Sequence, residues 1–393
     1  MPGSHAGRCA ELDAALVIGA GPAGLMAAEE LSRAGLPVVV CEAKPSIGRK
    51  FLMAGKSGLN VTKDEPLEAF LGRYDAPALH PMLREFGPAK VQDWCDELGQ
   101  EVFTGSSGRV FPVGMKASPL LRAWAGRLAV GGVDIRTRWR WSGFDGDRFR
   151  FDTPDGGQVL CPKVTVLALG GASWQRLGSD AAWVPWLAGR GVGIAPWQPA
   201  NMGFSVDWSA KMAPHFGQPV KGVALFAGEH CGRGEFVISA KGIEGGGIYA
   251  VSRFLREGAT LALDLLPDLT HDEIARRLAR AKPGDSTVNR LRKLGLSPVQ
   301  IALVMEFSRE APFASLKHLR IPLAGYRPLD EAISVGGGVK WTSVNKDLEL
   351  KAIPGTYVCG EMLDWEAPTG GYLLTACWAT GRWAGRAAAA QAV

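Results

Sequence analysis

Leu16-Val17-Ile18-Gly19-Ala20-Gly21-Pro22-Ala23-Gly24 is the stretch on which the fold turns. Its first three residues read as a buried strand, and a G-x-G-x-x-G pattern follows at once. The glycines open a helix predicted from about Pro22 to Ala34, which Gly35 stops. Leu36 to Cys41 is a second apolar run, ending in Glu42. Apolar strands on either side of a helix describe a βαβ unit in a parallel sheet covered on both faces. In that setting Gly19 makes the tight turn, Gly21 lets the backbone approach a pyrophosphate, and Gly24 lets helix pack on strand. The helix start offers free N–H groups and a partial positive charge to phosphates. Glu42 lies 18 residues beyond Gly24, placed to accept from ribose hydroxyls, with Ala43 and Lys44 at the same corner. These features together define a dinucleotide site.

Working outward, the pattern changes twice. Helices are predicted near Leu79–Phe86, Lys90–Leu98 and Pro119–Ala129, the last with Ser118 as N-cap. Val133–Arg136, Trp139–Trp141 and Arg148–Phe151 alternate in a two-residue period and read as antiparallel strands. Val164–Leu169 is again fully apolar and runs into Gly170-Gly171. From about Pro196 to Pro328 short strand-like pieces give way to short basic helices, with Pro and Gly at both seams. Gly355–Glu361 then resumes the strand-to-glycine pattern, and Tyr372–Ala390 closes the chain as a helix. The fold class is therefore α/β: a split Rossmann-type domain (1–195 and 329–393) with an inserted β-rich and helical cap domain (196–328).

Composition narrows the function. A chain of 393 residues with net charge +5 gives no general pull toward nucleic acid or an acidic membrane. The seven cysteines are odd in number, scattered and without a Cys-x-x-Cys, which argues against a disulfide framework, a zinc knuckle or a redox dithiol and suits a reducing cytoplasm. The six histidines lack metal-ligand spacing, so no metal is expected, and His80, His215 and His230 are minor candidates for proton transfer. Ala14–Leu31 lacks the flanks of a signal peptide, no window reaches a membrane span, and the first dozen residues read as a loose leader. Arg276, Arg277, Arg280 and Lys282, with Arg290, Arg292 and Lys293, read as solvated helix faces, with nucleic-acid binding as the alternative. Most of the thirteen tryptophans read as packing, with Trp365 as the one placed near a site. Gly245-Gly246-Gly247-Ile248-Tyr249-Ala250, with Asp264 beyond it, imitates a second nucleotide loop, although Lys241–Glu244 separate it from the preceding strand.

The far end of the chain favours FAD over a nicotinamide cofactor. Val358-Cys359-Gly360-Glu361 places a second acid at a strand's carboxyl end. Pro368-Thr369-Gly370-Gly371-Tyr372 then starts the last helix, whose positive end suits the charge that develops on flavin reduction. The motifs resemble the bacterial BaiN/YhiN-type flavoproteins, also described as NAD(P)/FAD-dependent oxidoreductases or aminoacetone-oxidase-family FAD-binding enzymes. The matching stretches are VIGAGPAGLMAAEELSRAG (17–35), GRKFLMAGKSGLNVT (48–62), ALGGASWQRLGSD (168–180), PANMGFSVDWS (199–209), GEFVISAKGIEGGGIYA (234–250) and CGEMLDWEAPTGGYLLTACWATGR (359–382). The resemblance implies that the glycine loop (Gly19, Ala20, Gly21, Pro22, Ala23, Gly24) and Glu42 hold the ADP half. It implies that Arg49, Lys50 and Asn60 line the path to the flavin, and that Gly170, Gly360, Glu361, Gly371 and Tyr372 close over it. Leu59 stands where many relatives have a cysteine, so no thiol role carries over. The expectation is an FAD-dependent oxidoreductase acting on a small organic substrate, with NAD(P)H as a transient electron donor. The alternatives are a flavin-dependent RNA-modifying enzyme and a non-catalytic flavin module; no catalytic acid or base and no oligomeric state can be read.

Overall fold

The computed structural model describes residues 10–392, so the first nine residues of the leader lie outside it. The chain divides into two units, one built from the segment ending at Gln198 together with that beginning at Ser334, the other Pro199–Ile333.

In the first unit β1 (Ala15–Ile18) leads through the glycine turn into α1 (Pro22–Arg33) and then β2 (Val38–Glu42). The next segment holds the short α2 (Arg49–Ala54). The sheet is completed by β3 (Val133–Thr137), β4 (Thr165–Leu167) and β5 (Thr356–Val358), in the order β5-β4-β1-β2-β3. Every pairing is parallel. Both ends of the chain thus contribute strands to one α/β sheet. β3 departs from its expected antiparallel role: Val38 pairs with Val133 in parallel register. Its alternation survives because it is the edge strand, where one face stays half-solvated. Arg140–Asp145 and Arg148–Thr153 pair antiparallel, as the alternating pattern announced, and Gly156–Pro162 pairs antiparallel with the latter. Cys161, in the last of these, is disulfide-bonded, a bridge that the scattered cysteines did not announce.

The C-terminal helix (Tyr372–Ala392) packs along α1. Glu30 of α1 fixes the pair, meeting Arg382 at 2.9 Å and Arg386 at 2.6 Å while itself buried. A buried carboxylate needs such partners, because its desolvation is otherwise uncompensated. The neighbouring buried Glu29 points elsewhere and accepts from the Trp124 indole at 2.6 Å. These anchors fix the last turns of α1 against its neighbours.

The second unit carries a seven-stranded sheet whose recorded pairings are all antiparallel, centred on Pro219–Ala227 and His230–Ser239. Four helices accompany it: α3 (Gly246–Arg256), α4 (His271–Ala279), α5 (Thr287–Lys293) and α6 (Pro298–Phe307). Thr270 and Glu273 close a capping box on α4, and Ser297 and Gln300 close one on α6. Leu316, Lys317 and His318 lead into the strand Leu319–Ile321. Among the described residues no helix is long and apolar enough to cross a membrane.

Candidate dinucleotide site

The carboxyl ends of β1, β2, β4 and β5 open on one groove that is partly open to solvent. Ligands of open α/β sheets sit at this edge. Gly19, Ala20, Gly21, Pro22 and Ala23 form its wall at the start of α1, with Glu42 and Ala43 beside them. Arg49 and Lys50 of α2, Gly170, Gly360 and Glu361 complete the expected residues that line it. Gly24 stands behind the wall: a Cβ there would lie 1.9 Å from the Gly19 carbonyl oxygen, so only glycine lets α1 meet the turn. Gly21 differs. Its φ of −83° suits any residue, and a Cβ would meet nothing within 4 Å. The space beside Gly21 is therefore a cradle in the groove wall, as close approach by a pyrophosphate requires.

The polar groups are arranged along this groove by charge. Glu42 accepts from the amides of Ala20 (3.0 Å) and Lys44 (2.8 Å), which fixes its carboxylate at the rim of the turn. Burial pushes the Glu42 carboxyl above its usual range, and those two amides pull it part of the way back. Lys50 extends its ammonium to Glu361 at 2.7 Å and to the buried Ser173 hydroxyl at 3.0 Å. Three segments distant in sequence are thereby tied by one cation. Arg49 lines the same wall. Two carboxylates with two cations and open helix amides between them match a dinucleotide's two polyols and its diphosphate. The residues present fit FAD.

Lys44 packs its stem beside Gly178 at the groove wall without lining the groove, and Asn60, Gly371 and Tyr372 do not line it either. Tyr372 turns its ring onto Phe70 and Tyr74, and its hydroxyl donates to Glu65 at 2.5 Å. Burial and the neighbouring Glu65 hold that hydroxyl well above its usual pKa, so it remains a donor. Trp365 is buried and donates to the Gly360 carbonyl at 2.9 Å, bracing the turn from behind. Among the described residues no cluster could hold a metal ion, and no histidine lines the groove.

Several lining residues escaped the sequence reading. Trp139 and Trp141 stand at the groove, as do Leu177, Gly178 and Ser179. The last three lie inside ALGGASWQRLGSD, so the quoted motif already held their signal. Cys41, Cys359 and Cys377 also line it. Burial pushes the Cys41 thiol up to about 12 and raises the Cys359 and Cys377 thiols as well. Thiols held protonated are neither nucleophiles nor a redox relay.

The Gly245–Ala250 segment takes a different form from a nucleotide loop. Gly242–Glu244 is the return strand of a hairpin with His230–Ser239, and α3 starts directly after Gly245. Gly247 is buried, and a Cβ on it would lie 2.9 Å from the Glu235 carbonyl oxygen. Helix-on-strand packing thus accounts for the glycine. Asp264 is paired with Lys317 at 2.6 Å and accepts from the Leu266 amide.

Comparison with known proteins agrees with this geometry. The family model described as "HI0933-like protein Rossmann domain" matches residues 13–387. The 3-dehydro-bile acid delta(4,6)-reductase of Clostridium scindens is 26% identical, over 95% of this chain and 98% of its own. The ribosomal RNA dihydrouridine synthase of Escherichia coli is 23% identical, over 93% of this chain and 95% of its own. Among solved structures, the open conformation of a flavocytochrome c3 fumarate reductase has a TM-score of 0.56 at 17% identity, covering 98% of this chain and 79% of that one. A 3-ketosteroid delta1-dehydrogenase from Sterolibacterium denitrificans has a TM-score of 0.52 at 11% identity, covering 97% and 99%. At these identities the structures speak for the fold.

Proposed function

This chain belongs to the HI0933-like Rossmann family, the BaiN/YhiN-type flavoproteins that its motifs resemble, and from that premise we propose that it reduces a carbon–carbon double bond conjugated to a carbonyl, with NAD(P)H as electron donor. It is a flavin-dependent oxidoreductase. Two of the curated relatives have names that share a chemistry: a delta(4,6)-reductase of a 3-oxo compound and a synthase of dihydrouridine both saturate an alkene in conjugation with a carbonyl. In the net reaction NAD(P)H gives a hydride and solvent a proton, and the alkene becomes the saturated carbonyl compound.

FAD, when bound, supplies the two-electron chemistry that no side chain offers. The chain supplies the rest. Gly21 and the amides at the head of α1 receive the diphosphate, Glu42 takes the ribose hydroxyls, and Arg49 offsets phosphate charge. Lys50 holds the Glu361 carboxylate in place through their 2.7 Å contact. The buried, protonated thiols leave the wall apolar between these points. The observation that carries this reading is the open cradle at Gly21, bracketed by Glu42 and the Lys50–Glu361 pair.

The acceptor in this reading is a small organic molecule. A second reading places the conjugated bond in a uracil ring of RNA, and the basic helices of the inserted unit favour it. Anaerobic mixing of FAD-loaded protein with NADPH or NADH, followed by a cyclic enone, tests the shared chemistry. Bleaching of the flavin by NAD(P)H and recovery of its colour with enone consumption are expected. Bleaching that no conjugated carbonyl compound reverses, uridine-containing RNA included, would contradict it.

A further inference from the structure

We propose that the exposed face of α4 and α5 in the inserted unit binds the phosphate backbone of RNA. This deepens the second reading above and rests on it. Residues 271–293 hold seven Lys or Arg against three Asp or Glu, a net +4 in a chain whose total is +5. Two of the three acids among them are already engaged. Glu273 closes the capping box with Thr270, and Asp285 pairs with Lys293 while accepting from the Lys282 amide. Arg276, Arg277, Arg280, Lys282 and Arg292 are exposed, and among the described residues none of them forms an ion pair with a carboxylate.

Helix physics explains only part of this. A cation in the last turn of each helix is favoured by the macrodipole. Arg276 and Arg280, however, stand four residues apart on one helix face, and Arg277 and Arg280 three apart. Like charges at that spacing repel and cost stability in the free protein. An anionic ligand reverses the sign of that cost. The arginines suit phosphate in particular, because a planar guanidinium forks onto its oxygens. An anionic membrane fits less well: helices that lie on bilayers present large apolar side chains beside their cations. The exposed large hydrophobics are Leu52, Phe103, Val113, Val130 and Tyr326, none of them on α4 or α5.

The test uses the FAD-loaded protein and a labelled uridine-containing RNA hairpin, with Kd measured across a salt series. The variants are the triple Arg276→Gln, Arg277→Gln, Arg280→Gln and, independently, the double Lys282→Gln, Arg292→Gln. Each phosphate contact contributes a slope of roughly −0.7 to −0.9 in log K against log salt. The triple variant should flatten the slope by about 2 and weaken binding at least about tenfold at low salt, and the double variant by about half as much. Flavin absorbance, its bleaching by NAD(P)H and the circular dichroism should not change. Absence of RNA binding by the parent protein, equal slopes in parent and variants, or binding to anionic vesicles in preference to RNA would overturn the proposal. Failure of NAD(P)H to bleach the flavin would instead overturn the proposed NAD(P)H-dependent function, whatever the RNA result.

Discussion

The two units handle their polar backbone ends differently. In the first unit the five strands run parallel, so their carboxyl ends gather on one edge together with the start of α1. In the second unit neighbouring strands run opposite ways, so their ends are shared between two edges and closed by hairpins such as that joining His230–Ser239 to Gly242–Glu244. Strand direction decides whether a sheet edge can gather amides and acids for one ligand. It also explains why two similar glycine clusters behave unlike each other: Gly21 borders open space, while Gly247 is filled by its own packing.

That contrast can be broken by one pair of substitutions. Gly21→Val places its side chain in the cradle, at a backbone conformation valine accepts. FAD affinity should fall by roughly 100-fold or more, on the scale of the ~3 kcal/mol that overpacking costs, with the melting temperature of the apoprotein unchanged. Gly247→Val should do the reverse, lowering stability by about 1–3 kcal/mol while FAD affinity holds. Fluorescence titration and thermal melts of both proteins check this. Retained FAD affinity in Gly21→Val would mean that the groove wall is not where the diphosphate docks.

A smaller effect sharpens the picture of the groove. Lys50→Met and Glu361→Gln should each weaken FAD binding roughly tenfold, and the double variant should be little worse than either single one, since one charge-assisted bond is lost in all three. Lys50→Arg should recover part of the loss. Additive losses in the double variant would show that the two side chains act separately.

The smallest expected effect is a pH dependence. Burial raises the Glu42 carboxyl in the folded protein above its unfolded value, so the folded apoprotein holds that proton more tightly. The stability linked to Glu42 is therefore present in acid and lost as pH rises through the folded value. Glu42→Gln should gain slightly over the parent apoprotein at neutral pH, and the difference should close as pH falls into the ordinary carboxylate range. Denaturant melts across pH measure it; a difference that widens in acid would reverse the assignment.

Legibility followed locality. The βαβ unit and its glycines could be read because each signal lies within a few residues of the next, and the strand runs at Val164 and Gly355 carried the same apolar code. What could not be read depends on contacts far apart in sequence. Lys50 meets Glu361 across 311 positions. α3 was hidden because three successive glycines are poor helix formers, and packing on the hairpin overrides that propensity. Ser118, expected as a cap, sits inside a helix that begins at Ala117, since Pro119 is tolerated in a first turn where its missing N–H costs nothing. Trp139 and Trp141 looked like core aromatics, and only the fold brings them to the groove.

Titration of the apoprotein with FAD, with ADP as competitor, tests the central claim most directly. One FAD per chain should bind, ADP should displace it, and Gly21→Val should abolish both effects. Folded apoprotein that takes up no FAD, or FAD uptake that ADP leaves untouched, would contradict the account.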